Sequence, residues 1–402
     1  MSKITRTWDS PWGSKNCQKH KIEPFLSIPC DEKCDNNVKE NFEFSPGYYS
    51  SYWRSKSQKP IHVGSEKIEI VALYNHGNGE NGDDYFCIID NSASIYFDNE
   101  YSHVYTIGSQ FYSSESASQI SENEIGFASP DDWNGGNDSI SLYTNKTFSS
   151  FDVLDAIFET FLDKKLYPNL KRIIVAGHSG GGQIVGRYAL SNVLDDKASL
   201  KDVEVFYYVA NPSTSVYLDE KRPVIPADQK CDNTIIPEFN FEFKISNHSD
   251  ECADFNDWKY GLSNPNRYVQ ARDTDEMVDK FSRKNVTFVA GLEDRCCACD
   301  SVGNDNQYCC VCDNSAGTSW GIDDTCGAEL MGRCRLQRLH AYFQYLQQFY
   351  EYSPDLNYQI IDVPDTEHDW CIIHDERVRE SMFGTGVLLV PTILVMILGL
   401  IM

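Results

Sequence analysis

The chain has 402 residues, 41% of them hydrophobic and 13% aromatic, which argues for a globular protein with one large core or two smaller ones. Its 35 basic and 60 acidic residues give a formal charge of −25 with no concentrated basic patch. That excludes nucleic acid as a partner, and the acidity itself reads as solubility.

Residues 1–60 are polar and weakly periodic, an N-terminal extension plus an edge strand, and Met1–His20 has no apolar h-region of a signal peptide. A strand is predicted over Lys67–Tyr74, closing on Ile70-Val71-Ala72-Leu73, and another over Tyr101–Ile107. The Ser-, Asn- and Gly-rich stretch 108–148 reads as surface loops. Phe151, Leu154, Ile157, Phe158 and Phe161 share one face of a helix capped by Ser149 and Ser150. Lys171–Ala176 is a basic pair followed by an apolar run, as a buried parallel strand should be, and Gln183–Asn192 is spaced as a helix. Val203–Ala210 is the next strand. Residues 211–280 form a polar insertion, carrying Cys231 and Cys252, of the kind that caps a site. After the strand Val286–Gly291 comes a Cys-rich insertion, 295–335. A helix over 327–350 follows, with Leu336, Leu339, Phe343, Leu346 and Tyr350 on one face, then a last strand, Tyr358–Val363. Gly386–Met402 is apolar apart from Thr392; it is expected to insert into a membrane, a removed GPI signal being the second option. Strands alternating with helices predict an α/β fold with a mostly parallel sheet.

Between the third strand and its helix lies Gly177-His178-Ser179-Gly180-Gly181. A Gly-x-Ser-x-Gly turn from buried strand to helix is the layout that holds a serine hydroxyl clear of the backbone, and bulk at Gly177 or Gly181 would collide with strand or helix. The helix N-terminus points N–H groups at the place where an oxyanion would form. A serine nucleophile needs a base, and the base a carboxylate to fix its tautomer. Asp294 lies just past the strand Val286–Gly291, and His368 past the strand ending at Val363. His374 is the fallback base; His178, beside the serine on its own turn, is not expected to act as one. The second oxyanion donor should come from the loop after the first strand, His76-Gly77-Asn78-Gly79. Gly180 and Asn78 are the expected pair of N–H groups, with Gly77 and Gly79 as alternatives to Asn78.

Fifteen cysteines are present, eight of them in one stretch: Cys296, Cys297, Cys299, Cys309, Cys310, Cys312, Cys326 and Cys334. With sequons at Asn137, Asn145, Asn247 and Asn285, they point to an oxidising, secretory compartment. Cys296-x2-Cys299 and Cys309-x2-Cys312 admit a zinc reading. The doubled cysteines favour disulfides that staple the loop carrying Asp294, so no metal is expected. The odd count leaves at least one thiol unpaired or paired between chains.

The loop His76–Gly79, the elbow at Ser179, Asp294 and then His368, in that order, resemble the α/β-hydrolase superfamily over about residues 65–375, within a body spanning 61–380. The resemblance implies the α/β-hydrolase fold, with helices on both faces of the sheet. It also implies a serine hydrolase that works through an acyl-enzyme, usually on esters, with no metal or organic cofactor. The expectation is therefore a carboxylic-ester hydrolase acting on a small-molecule or lipid ester. Its tail would hold it on a membrane, the body in the secretory lumen or outside the cell, or alternatively in the cytosol. A non-catalytic cell-surface binding protein on this scaffold, and a serine peptidase or thioesterase of the same fold, are the competing readings. The Cys-rich insertion and the apolar tail depart from a minimal member.

Overall fold

Apolar side chains occupy successive positions along the central strands, and the pleat turns them alternately to two buried faces. The computed structural model describes residues 34–140, 144–225, 231, 237–243, 252–295, 322–323 and 325–384. Its strands are β1 (Asn37–Ser45), β2 (Tyr48–Ser55), β3 (Ile70–Asn75), β4 (Val104–Gln110), β5 (Arg172–His178), β6 (Glu204–Ala210), β7 (Lys221–Val224), β8 (Asn240–Phe243), β9 (Asn285–Gly291) and β10 (Tyr358–Val363). Eight of them form one sheet in the order β1-β2-β4-β3-β5-β6-β9-β10, while β7 and β8 pair separately. β2 runs antiparallel to its neighbours, and every pairing from β4 to β10 is parallel. The fold class is α/β with a mostly parallel sheet, as the alternation of elements predicts.

On β5, Ile173 and Val175 join a cluster with residues of the helices Ser150–Leu162, Gly180–Ser191 and Arg335–Phe349. Ile174 and Ala176 face the opposite cluster, with residues of Gly82–Tyr96 and Glu376–Phe383. Helices thus cover both faces. Each fully buried Val, Leu, Ile or Phe contributes about 1.5–3 kcal/mol, so this two-sided core holds the strand ends, and the loops they carry, in place.

Several elements differ from the expectation. The hairpin β1–β2 puts two strands, not one, inside the polar segment 1–60; β2 buries Ser50, Ser51 and Ser55, so hydropathy does not reveal it. The stretch 108–148 is not all surface: Phe111, Tyr112, Phe127 and Trp133 are buried between its polar residues. The helix Gly82–Tyr96 escaped the sequence reading, its buried positions including Asp90 and Ser92. The helix expected over 327–350 is two helices, Cys326–Glu329 and Arg335–Phe349, with Gly332 between them at φ 144°. Such a φ is open to glycine and closed to most other residues, and it breaks the helix there. Among the described residues no helix is long and apolar enough to cross a membrane; the run 386–402 lies outside them, as do Asn247 and Cys296–Cys312.

Candidate active site

β5 ends at His178, and the helix Gly180–Ser191 begins one residue after Ser179. Ser179 sits between them at φ 59° and ψ −120°, a backbone state that costs a non-glycine residue on the order of 1–3 kcal/mol. The turn closes because its flanks are glycines. A Cβ on Gly177 would lie 2.0 Å from the carbonyl oxygen of Gly181, and one on Gly181 would lie 2.0 Å from that of Asn75. The Ser179 N–H is anchored on the Ala210 carbonyl at 3.0 Å, which ties the turn to the end of β6. Gly180, as the first residue of the helix, has no carbonyl one turn back for its own N–H.

The loop after β3 lies against this turn. The Phe111 N–H donates to His76 Nε2 at 2.9 Å, so Nδ1 carries the proton and donates to the Gly77 carbonyl at 2.7 Å. Burial pushes the His76 imidazole below its ordinary pKa and keeps it neutral for this role. A Cβ on Gly77 would be 3.4 Å from Ser179 Cβ, and Asn78 Oδ1 lies 2.2 Å from where a Cβ on Gly180 would stand. Asn78 and Gly180, the residues expected as the oxyanion pair, are thus neighbours beside Ser179.

His368 and Asp294 come together from loops after β10 and β9. His368 Nδ1 is 2.8 Å from Asp294 Oδ2, and the Asp294 side chain is fully buried. The loops are tied to each other: Glu293 N–H donates to the Thr366 carbonyl at 2.9 Å. Asn211, at φ 42° just past β6, reaches both, accepting from Gly291 N–H at 2.9 Å and donating to the Glu367 carbonyl at 3.3 Å. Burial works against the Asp294 charge, yet the neighbouring His368 and Arg335 hold its carboxyl below the usual range and ionised. Burial and the Arg335 charge together lower the His368 pKa, while Asp294 acts the other way. His178 is buried as well, and burial, then His368 and Arg335, push it well down. His374 is buried elsewhere, its Nε2 3.1 Å from the Ile88 carbonyl.

A cavity of about 260 Å³ opens over these groups, lined among others by Ser179, His368, Asn78, Tyr85, Arg335 and Trp370. Ser179, His368 and Asn78 were expected there. Tyr85, Arg335 and Trp370 were not, although Trp370 is two residues from His368 and could have been suspected from that. Among the described residues none of the insertion 211–280 lines the cavity.

Disulfides join Cys231 to Cys334, Cys252 to Cys326 and Cys34 to Cys87. The first two tie the insertion 211–280 to the segment leading into the helix Arg335–Phe349, whose Leu336 N–H donates to the Asp294 carbonyl at 3.1 Å. Asp254 stands close to Cys252 and Cys326, but these two sulfurs are bonded to each other, which takes them out of use as thiolate ligands. Of the sequons, Asn145 is exposed. Asn137 donates to Asp132 Oδ1 at 3.2 Å, and Asn285 donates to the Val205 carbonyl at 3.0 Å within the sheet.

No family model matches the sequence, and no curated protein matches it. Solved structures do. LpqC, a poly(3-hydroxybutyrate) depolymerase from Bordetella parapertussis, superposes with a TM-score of 0.52 at 13% identity, over 87% of this chain and 90% of that one. Poly(aspartic acid) hydrolase-1 from Sphingomonas sp. KT-1 superposes with a TM-score of 0.51 at 16% identity, over 86% of this chain and 98% of that one.

Proposed function

We propose that this chain, which has the α/β-hydrolase fold, is a serine hydrolase that cleaves a carboxylic ester through an acyl-enzyme. One observation carries the reading. Ser179, on its strained turn, shares a cavity with His368, whose Nδ1 is paired with a buried, ionised Asp294. With Nδ1–H donated to Asp294, the His368 Nε2 lone pair is the base that takes the Ser179 proton as Oγ attacks the ester carbonyl. The oxyanion of the tetrahedral adduct is met by the N–H groups of Gly180 and Asn78. His368 then returns the proton to the departing alcohol, and water attacks the acyl-enzyme by the same route. The cavity, at about 260 Å³, suits a small-molecule ester. The two named neighbours, a depolymerase and a hydrolase, fit a bond-cleaving role for this chain.

The apolar run 386–402 supplies a membrane tether in this reading. The last described residue, Gly384, lies by the start of β5, its carbonyl accepting from Arg172 Nη1 at 2.6 Å, whereas Ser179 follows the other end of that strand.

Fluorophosphonate labelling tests the proposal. Wild-type protein is expected to be labelled covalently and Ser179→Ala to be unlabelled. Labelling that persists in Ser179→Ala would move the nucleophile to another residue and sink the reading; labelling absent from folded wild type would sink it and favour a binding protein on this scaffold.

A further inference from the structure

The cavity wall includes a buried cation for which the hydrolytic steps above give no task. Arg335 is 2% exposed, lines the cavity with Ser179 and His368, and places Nη1 3.6 Å from Asp294 Oδ1. It opens the helix Arg335–Phe349 directly after Cys334, which the disulfide to Cys231 holds. The next residue, Leu336, donates its N–H to the Asp294 carbonyl. One helical turn therefore meets Asp294 twice, by a hydrogen bond at its backbone and by an ion pair, longer than a hydrogen bond, at its side chain. A carboxylate taken wholly out of water needs such compensation, because its charge is costly to bury and only one of its oxygens is used by His368.

We propose that Arg335 is a positioning residue of the hydrolytic site: its guanidinium holds Asp294 Oδ1, so that Oδ2 stays directed at His368 Nδ1. This inference rests on the Ser179–His368–Asp294 reading. It has an electrostatic consequence. Charged and titratable groups surround His368: Asp294 after β9, Arg335 on its helix, His178 at the end of β5, its ring 4.4 Å from that of His368, and Tyr85 of the helix Gly82–Tyr96, which lines the same cavity. Glu367 and Asp369 flank it on its own loop. Burial and then Arg335 lower the His368 pKa, and Asp294 raises it. The base therefore stays neutral below the ordinary histidine value, and activity persists there, to be lost as pH falls through the lowered value. Removing the Arg335 charge raises the His368 pKa and moves the acid limb of the rate profile to higher pH.

The test is the pH profile of kcat and kcat/KM on a short p-nitrophenyl ester, with fluorophosphonate labelling followed in parallel, for full-length wild type, Arg335→Gln and Arg335→Lys. Wild type is expected to keep its acid limb below pH 6.5, the ordinary histidine value. Arg335→Gln is expected to shift that limb upward and to lower plateau kcat roughly 10- to 100-fold with KM little changed, as a displaced catalytic group does. Arg335→Lys is expected to restore the position of the limb. A folded Arg335→Gln protein with wild-type limb and kcat overturns the inference. Where Arg335→Gln fails to fold, Arg335→Met is read in its place, and a folded Arg335→Met protein with wild-type limb and kcat overturns the inference in the same way. Loss of labelling in Ser179→Ala alongside an unaltered Arg335→Gln profile would refute Arg335 while leaving the hydrolase reading intact; unlabelled wild type would refute the hydrolase reading.

Discussion

Ser179 and His368 face the same cavity by different means. Ser179 is placed by backbone alone: a parallel strand, one left-handed residue and a helix, fitted together by glycines that let Gly181 approach the Asn75 carbonyl. His368 is placed by side chains from distant segments. Asp294 receives its Nδ1, Asn211 ties its loop to β6, and the turn at Arg335 holds Asp294 in turn. The serine side draws on the rigidity of the sheet. The histidine side depends on a few long-range bonds and on disulfides that fix the segment carrying Arg335. A site of this construction should be robust at its nucleophile and sensitive at its base.

The sharpest way to probe that contrast is at the base itself. His368→Ala is expected to lower kcat on a short p-nitrophenyl ester by roughly four to six orders of magnitude while the fold is kept, as removal of a member acting in concert does. Retained activity would move the base to another residue. The next largest effect is expected from the paired change Cys231→Ser with Cys334→Ser. Opening this link costs about 2–5 kcal/mol of stability, read as a lower denaturant midpoint, and labelling of Ser179 slows because the Arg335 turn loosens. Equal midpoints with and without the disulfide would contradict the dependence claimed for the histidine side.

Gly181→Ala attacks the other side. Its Cβ meets backbone, not a movable side chain, and about 1–3 kcal/mol of destabilisation is expected in a denaturant titration. An unchanged midpoint would mean that the elbow has slack. The smallest effect is expected from Asn211→Ala, which leaves the buried Gly291 N–H without its acceptor and frees the His368 loop from β6. About 1 kcal/mol of stability should be lost. Reduced kcat with nearly unchanged KM would show that the tie serves position; a fall in stability without a fall in kcat would assign it to packing alone.

Local rules sufficed where chemistry and chain order coincide. Ile173–Ala176 is apolar because β5 is covered on both faces, and the glycines at 177 and 181 follow from the tight strand-to-helix turn, so the elbow could be read without coordinates. Asp294 and His368 were readable as positions past strand ends, since parallel strands deliver their C-terminal loops to one edge of the sheet. Tertiary structure alone decided the rest. Arg335 entered the cavity because Gly332 breaks a helix that periodicity runs straight through, and because a disulfide and the Asp294 carbonyl hold the new helix start in place. Trp133 was buried by neighbours distant in sequence, and the serines of β2 by sheet pairing. A strand, a turn and a charge pattern arise from residues close in sequence, where propensity and periodicity act. The surroundings of Asp294 arise from groups brought together over long separations, and no local spacing records which of them will meet.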